Sequence, residues 1–263
     1  MLEGQFFPSQ AIQFQGGGLG LGKPPYAGYQ ANAVNFSGSS VYLSRGANLT
    51  GAIDTKKVTG VWWHNGGDNT NDDIFNWEKS GTFARLVVIR RGGGAGNIIR
   101  VRAGNNADST WALDVDGDQA VNAASGWTPI IWSFDMSDTG KRQIVTGDTV
   151  NSLTVTSYSN ENLSFSTGTE FYVGSDGTNY WVGDCADFML WQDVYIDLSV
   201  KANRRLFVDE QGKPVHPAIA TAHLGTPIVR LSNGTATWHT NVGSGGGFTE
   251  NGTLTDASSS PSD

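Results

Sequence analysis

The stretch Leu86-Val87-Val88-Ile89-Arg90-Arg91-Gly92-Gly93-Gly94-Ala95-Gly96-Asn97-Ile98-Ile99-Arg100-Val101-Arg102 decides the fold. Ile99 and Val101 alternate with Arg100 and Arg102, the period-two signal of a strand with one buried face. Residues 86–89 are apolar throughout, which predicts a strand covered on both faces. The glycines at 92–96 read as the loop of a hairpin joining the two. The same text recurs outward. Val58-Thr59-Gly60-Val61-Trp62-Trp63, Pro129-Ile130-Ile131-Trp132-Ser133-Phe134 and Glu170-Phe171-Tyr172-Val173-Gly174 are short apolar runs. Asn, Asp, Gly and Ser cluster between them, as turns require. Many short strands separated by turns predict an all-β sandwich or barrel.

Composition agrees with this. The chain has 263 residues, 35 of them Gly, with nine Trp, one Cys and a formal charge of −8. A charged fraction of 16% is low for long solvated helices or a coiled coil. So much tryptophan argues against a disordered chain. No apolar run reaches the ~18 residues that a membrane-spanning helix needs, and the acidic balance argues against a general nucleic-acid surface. The opening MLEGQFFPSQ has neither a basic nor an apolar leader region, so no secretory signal is expected. With Cys185 alone there is no disulfide framework, and a buried structural thiol is expected there.

Residues 1–32 read as an arm, because Gly16-Gly17-Gly18-Leu19-Gly20-Leu21-Gly22-Lys23-Pro24-Pro25 suits neither a helix nor a central strand. Its Phe6, Phe7, Phe14, Tyr26 and Tyr29 are candidate anchors on a partner. A sandwich is expected over 33–242 and a Gly/Ser-rich tail over 243–263. One short helix is predicted between Asp197 and Phe207, capped by Asp197 or Ser199. Two further strands are predicted, at 228–231 and at Ala236-Thr237-Trp238-His239.

Most chemical motifs fail on inspection. Gly17-x-x-x-x-Gly22-Lys23 copies a P-loop, but Pro24 stands where the magnesium-binding hydroxyl belongs. Asp114-Val115-Asp116-Gly117-Asp118 brings its Gly one step early for a calcium loop. Asp68, Asp72 and Asp73 collect hard oxygen ligands, so calcium is the one metal for which a site is named, although the stretch is also ordinary loop composition. The four histidines form no short ligand pair, and there is no G-x-S-x-G elbow. The six glutamates are scattered, so no catalytic pair of the glycosidase kind is visible. Two positive features remain. Trp77, Trp111, Trp127, Tyr180 and Trp181 lie in or near turn-rich segments and are candidate sugar platforms, flat apolar faces with polar rims. Against this stands the tendency of any one Trp to be core. Arg85, Arg90, Arg91, Arg100 and Arg102 make a basic hairpin, either a solvated face or a docking surface for an acidic partner.

Ala33-Val34-Asn35-Phe36-Ser37-Gly38-Ser39-Ser40-Val41-Tyr42-Leu43-Ser44-Arg45 resembles the opening of concanavalin A-like lectin and laminin G-like domains. Gly183-Asp184-Cys185-Ala186-Asp187-Phe188-Met189-Leu190-Trp191 resembles a late strand of the same domains. The ending, from Ala236-Thr237-Trp238-His239 through Gly252 to Leu254-Thr255-Asp256-Ala257-Ser258, is similar to that of a subset found in tailed bacteriophages and prophages. The likeness spans residues 33 to 258. Ser37 and Val41 stand where aspartates are common, and the Glu-x-Asp-x-x-Glu strand of the hydrolase branch is missing. The resemblance implies a concanavalin A-like antiparallel β-sandwich with one short helix. It implies a non-enzymatic virion protein, made in the bacterial cytoplasm and displayed in many copies on capsid or tail. The arm would contact other virion proteins, and host-surface glycan would be the ligand. The alternative is a capsid decoration or cementing protein, and after it a polysaccharide depolymerase.

Overall fold

The computed structural model describes residues 28–37, 40–66, 72–78, 84–91, 97–105, 110–121 and 125–263. In chain order the strands are β1 (Ala33–Phe36), β2 (Tyr42–Arg45), β3 (Lys57–Asn65), β4 (Asp72–Glu78), β5 (Leu86–Arg91) and β6 (Ile98–Gly104). Then come β7 (Trp111–Ala120), β8 (Thr128–Asp135), β9 (Arg142–Thr146), β10 (Thr149–Val150), β11 (Thr154–Tyr158), β12 (Glu170–Val173) and β13 (Gly183–Gln192). Helices α1 (Lys201–Arg204) and α2 (Pro217–Leu224) follow, and then β14 (Val229–Leu231), β15 (Thr249–Asn251) and β16 (Thr255–Asp256).

They form two antiparallel sheets. The first runs β10-β9-β8-β3-β13-β1-β16, with β14 also paired to β13, and the second runs β11-β7-β6-β5-β4-β12-β2-β15. The 86–102 stretch forms adjacent strands as expected, with Val88 opposite Val101. The main core lies between the sheets. Phe75 of the second sheet packs on Trp132 and Phe188 of the first at 5.7 and 5.1 Å between ring centres. Trp132 crosses β3 so closely that a Cβ on Gly60 would lie 2.1 Å from its ring, which is why a glycine interrupts that apolar strand.

The two sheets differ on their outer sides. Val61, Trp63, Ile131, Val145, Met189 and Trp191 point away from the main core and are covered by a layer from Ile196 to Leu224 that contains both helices. That explains why β3, β8 and β13 are buried residue after residue rather than alternately. No described helix lies on the second sheet's outer face.

Four expectations need correction. Residues 236–239 are not a strand, because Thr235–Thr237 forms a 3-10 turn that puts Trp238 into the core at 0% exposure. The helix expected from Asp197 begins only at Lys201, and Val200 at its start makes no side-chain cap. Asp197 instead accepts from the Ser199 amide and hydroxyl at 2.9 and 2.6 Å, fixing a turn. A second helix, α2, was not expected; Pro217 opens it beside His216, whose Nδ1 accepts from the Ala218 amide at 3.1 Å. Finally, residues 243–263 are no appended tail. They supply β15 to the edge of one sheet and β16 to the edge of the other.

Candidate functional site

The expected sugar platforms do not converge. Trp77 and Trp181 are 0% exposed in the main core, so neither ring offers a face to a ligand. Trp127 is half-buried on the covered side of the first sheet, its indole donating to Ser259 Oγ at 3.1 Å. Trp111 is half-buried on β7 with the Arg102 guanidinium over its ring at 5.1 Å. Tyr180 alone joins a larger arrangement.

That arrangement grows out of strand alternation on the second sheet. In β12 Phe171 and Val173 are buried, so Glu170 and Tyr172 point outward. In β2 Leu43 is buried, so Tyr42 and Ser44 point outward. The register sets Tyr172 between Ser44 on one side and Asn76 on the other, and sets Glu170 opposite Glu78. A tight turn then folds back beside them. Gly174 turns at φ 78°, where a side chain would run into Phe36, and Asp176 accepts from the Thr178 and Asn179 amides at 2.8 and 2.5 Å. Trp181 anchors the turn in the core, and its neighbour Tyr180 is left half-exposed, 5.6 Å from Tyr42. Tyr42 is also 6.1 Å from Tyr172. Three half-exposed tyrosine rings thus stand together, flanked by Glu78, Glu170, Asp176, Asn76 and Asn179.

Electrostatics set this patch apart. Burial, followed by the charges of Glu170 and Asp176, pushes the Glu78 carboxyl above its ordinary value, although the Asn76 amide donates to it at 2.8 Å. The Tyr172 hydroxyl donates to Glu170 Oε2 at 2.5 Å, and that bond, more than burial, raises its own pKa. Two of the glutamates that are scattered in sequence, Glu78 and Glu170, are therefore cross-strand neighbours. The signal was present in the outward positions of the Glu170-Phe171-Tyr172-Val173 run, which looked simply apolar.

The arginine hairpin resolves differently. Arg85 is fully buried, its Nη1 reaching the Asn105 carbonyl at 3.3 Å, so it cannot belong to a docking surface. Arg100 clasps Asp114 with two bonds of 2.7 Å, and Arg102 meets the same carboxylate at 3.2 Å. Asp116 adds a second carboxylate 3.4 Å from Arg100. The side chains of Arg90 and Arg91 lie outside the described residues, as do those of Asp72 and Asp73, and Asp68 as a whole. Among the described residues no group of three or more His, Cys, Asp or Glu is placed to hold a metal ion. Cys185 is buried, and burial pushes its thiol well up, which suits a structural side chain.

Phe6, Phe7, Phe14 and Tyr26 also lie outside the described residues. Tyr29 docks on its own chain: its hydroxyl donates to both oxygens of buried Asp187 at 2.9 and 3.0 Å. Asp187 sits at φ 44° between the stretches of β13 that pair with β1 and with β14. Burial pushes its carboxyl up to about 7 despite that bond and nearby Arg230. No helix among the described residues is long and apolar enough to cross a membrane.

No family model matches the chain, and no curated protein does. Solved structures do. A putative carbohydrate binding protein from Bacteroides ovatus ATCC 8483 superposes with a TM-score of 0.55 at 12% identity, covering 88% of this chain and 62% of that one. A heptameric SAP-like pentraxin from Limulus polyphemus gives 0.49 at 12% identity over 66% and 82%. Domains LG4-5 of the mouse laminin alpha1 chain give 0.44 at 12% identity over 64% and 43%. At this identity the likeness concerns the fold alone, a sandwich of two antiparallel sheets.

Proposed function

We propose that the chain is a non-catalytic glycan-binding module whose site is the outer face of the second sheet at Tyr42, Tyr172 and Tyr180. The observation that carries this reading is the group of three half-exposed tyrosines ringed by carboxylates and amides on a sheet face that no described helix covers. Tyrosine faces stack on the apolar C–H faces of pyranose rings, and carboxylates and amides take the hydroxyls at the rim. The carbohydrate-binding fold neighbour supports the same choice. Glu78 and Glu170 project from adjacent strands of one face, and each is already engaged, by Asn76 and by Tyr172. We therefore read them as hydroxyl acceptors and not as an acid and a nucleophile working from two sides of a bond.

A shallow face of this kind binds each sugar weakly, and display in many copies would turn weak contacts into firm adsorption. The setting we propose is a phage particle, made in a bacterial cytoplasm and facing host-surface polysaccharide. That part rests on the sequence ending alone. A glycan array probed with multimerised protein tests the binding. Signal lost in Tyr172→Ala and kept in Trp111→Ala is the expected result, and no signal from the wild type overturns the reading. Absence of the protein from purified particles removes the virion setting and leaves the binding claim standing.

A further inference from the structure

On the opposite side of the molecule, where the helical layer meets the rim of the first sheet, there is a cleft of about 400 Å³, within the size range of small-ligand sites. Its principal side chains are Lys57, Asp135, Lys141, Asp193, Tyr195 and His223. Four of them are placed by the elements around the cleft. Lys57 opens β3 directly across from Asp135 at the end of β8. Asp193 follows β13 at φ 55°, its amide donating to the Lys57 carbonyl at 3.0 Å. His223 comes from the last turn of α2.

The charges nearly balance, but the hydrogen-bonding capacity does not. Asp135 Oδ1 is taken by the Ser137 amide and hydroxyl at 3.1 and 2.5 Å, and its Oδ2 faces the Lys141 ammonium at 3.7 Å. Asp193 Oδ1 is taken by the Thr55 hydroxyl at 3.0 Å. Lys141 also lies over the Tyr195 ring at 5.7 Å. Among the described residues the Lys57 ammonium, the Tyr195 hydroxyl and the His223 imidazole make no hydrogen bond or ion pair. The cleft is thus lined by three unengaged donors, with the second oxygens of Asp135 and Asp193 as the remaining acceptors. The complementary ligand has a carboxylate to accept from Lys57, Tyr195 and His223, and hydroxyls to donate to the two aspartates.

We propose that this cleft is a second ligand site, for a sugar acid: a monosaccharide-sized polyol carrying one carboxylate. It is independent of the tyrosine face, being built on the other sheet. The test is an NMR titration of the full chain with glucuronate, glucose and inorganic phosphate as separate probes. Glucuronate should shift the amides of residues 193–195 and 223–224 and bind at least tenfold more tightly than either other probe. Lys57→Gln and His223→Gln should each weaken it by threefold or more with an unchanged melting temperature, and Tyr172→Ala should leave it as it was. No binding of glucuronate, equal binding of phosphate or glucose, or glucuronate affinity unaffected by both variants would overturn the proposal.

Discussion

The outer face of the second sheet has two halves that use charge in opposite ways. Over β6 and β7, each described outward arginine meets a carboxylate: Arg100 and Arg102 converge on Asp114, with Asp116 beside them. Over β4 and β12, like meets like, with Glu78 directly across from Glu170 and Asp176 close enough to raise it. Opposite charges across a strand pair stabilise a sheet, and like charges directly opposite destabilise it. The first half spends its charges on the fold. The second leaves carboxylates and tyrosine rings directed outward, at a cost in stability, which is the usual condition of a surface kept for a ligand.

The largest effect should come from breaking the self-sufficient half. Asp114 is 3% exposed. Burial alone would push its carboxyl up, but the bonds from Arg100 and Arg102 outweigh this and hold it below the usual carboxylate range. Asp114→Ala removes the shared partner and leaves two guanidiniums, of which Arg100 is only 12% exposed, with Asp116 as the remaining acid. A loss of about 3 kcal/mol is expected in urea unfolding. The sign with pH follows from the depressed pKa. The folded state binds fewer protons here than the unfolded one, so the Asp114 contribution is present above the ordinary carboxylate pKa and fades as pH falls below it. Wild type minus Asp114→Ala stability should therefore shrink in acid. A difference that grows on acidification would show that the pairing is incidental.

The next effect belongs to the other half and should appear in binding, not in stability. Tyr172 is half-exposed between Ser44 and Asn76, so Tyr172→Ala removes ring area from the surface and little from the core. Glycan affinity should fall tenfold or more, about 1.4 kcal/mol, while the unfolding free energy changes by less than about 1 kcal/mol. Trp111→Ala, in the paired half, should do the reverse: it removes the ring under Arg102 and costs stability with affinity unchanged. Equal binding losses in both variants would erase the distinction between the halves.

How far this was legible in the sequence depended on whether the signal was local. The hairpin at 86–102 showed its alternation over a few residues, and its strands are adjacent in the structure. Exposure of a tryptophan is not local. Tyr180 and Trp181 are neighbours in sequence, yet one reaches the surface and the other is sealed in the core, because Gly174 turns the chain several residues earlier. Charge was misread for the same reason. The arginines stand out as a cluster along the chain, while the carboxylates that neutralise Arg100 and Arg102 sit on the next strand. Glu78 and Glu170 were too far apart in sequence to look like a pair, and only the β4–β12 register brings them together.

The smallest effect is the sharpest test of that pair. Glu78→Gln keeps the shape and removes one of two facing negative charges, leaving an amide that can still exchange hydrogen bonds with Asn76. With a carboxylate raised by burial and by its neighbours, the folded state holds its proton more tightly than the unfolded one does. Glu78 therefore weakens the fold progressively as pH rises through the carboxylate range. The variant should be slightly more stable than wild type at neutral pH, by roughly 0.5 kcal/mol, and this advantage should vanish in acid, where wild-type Glu78 is itself neutral. If Glu78 serves a sugar hydroxyl, the stabilised variant must at the same time bind glycan less well, because an amide is a poorer acceptor than a carboxylate. Gain in stability together with loss in binding is what a charge kept for a ligand predicts. A gain in both would mean that the facing glutamates serve neither the fold nor the site.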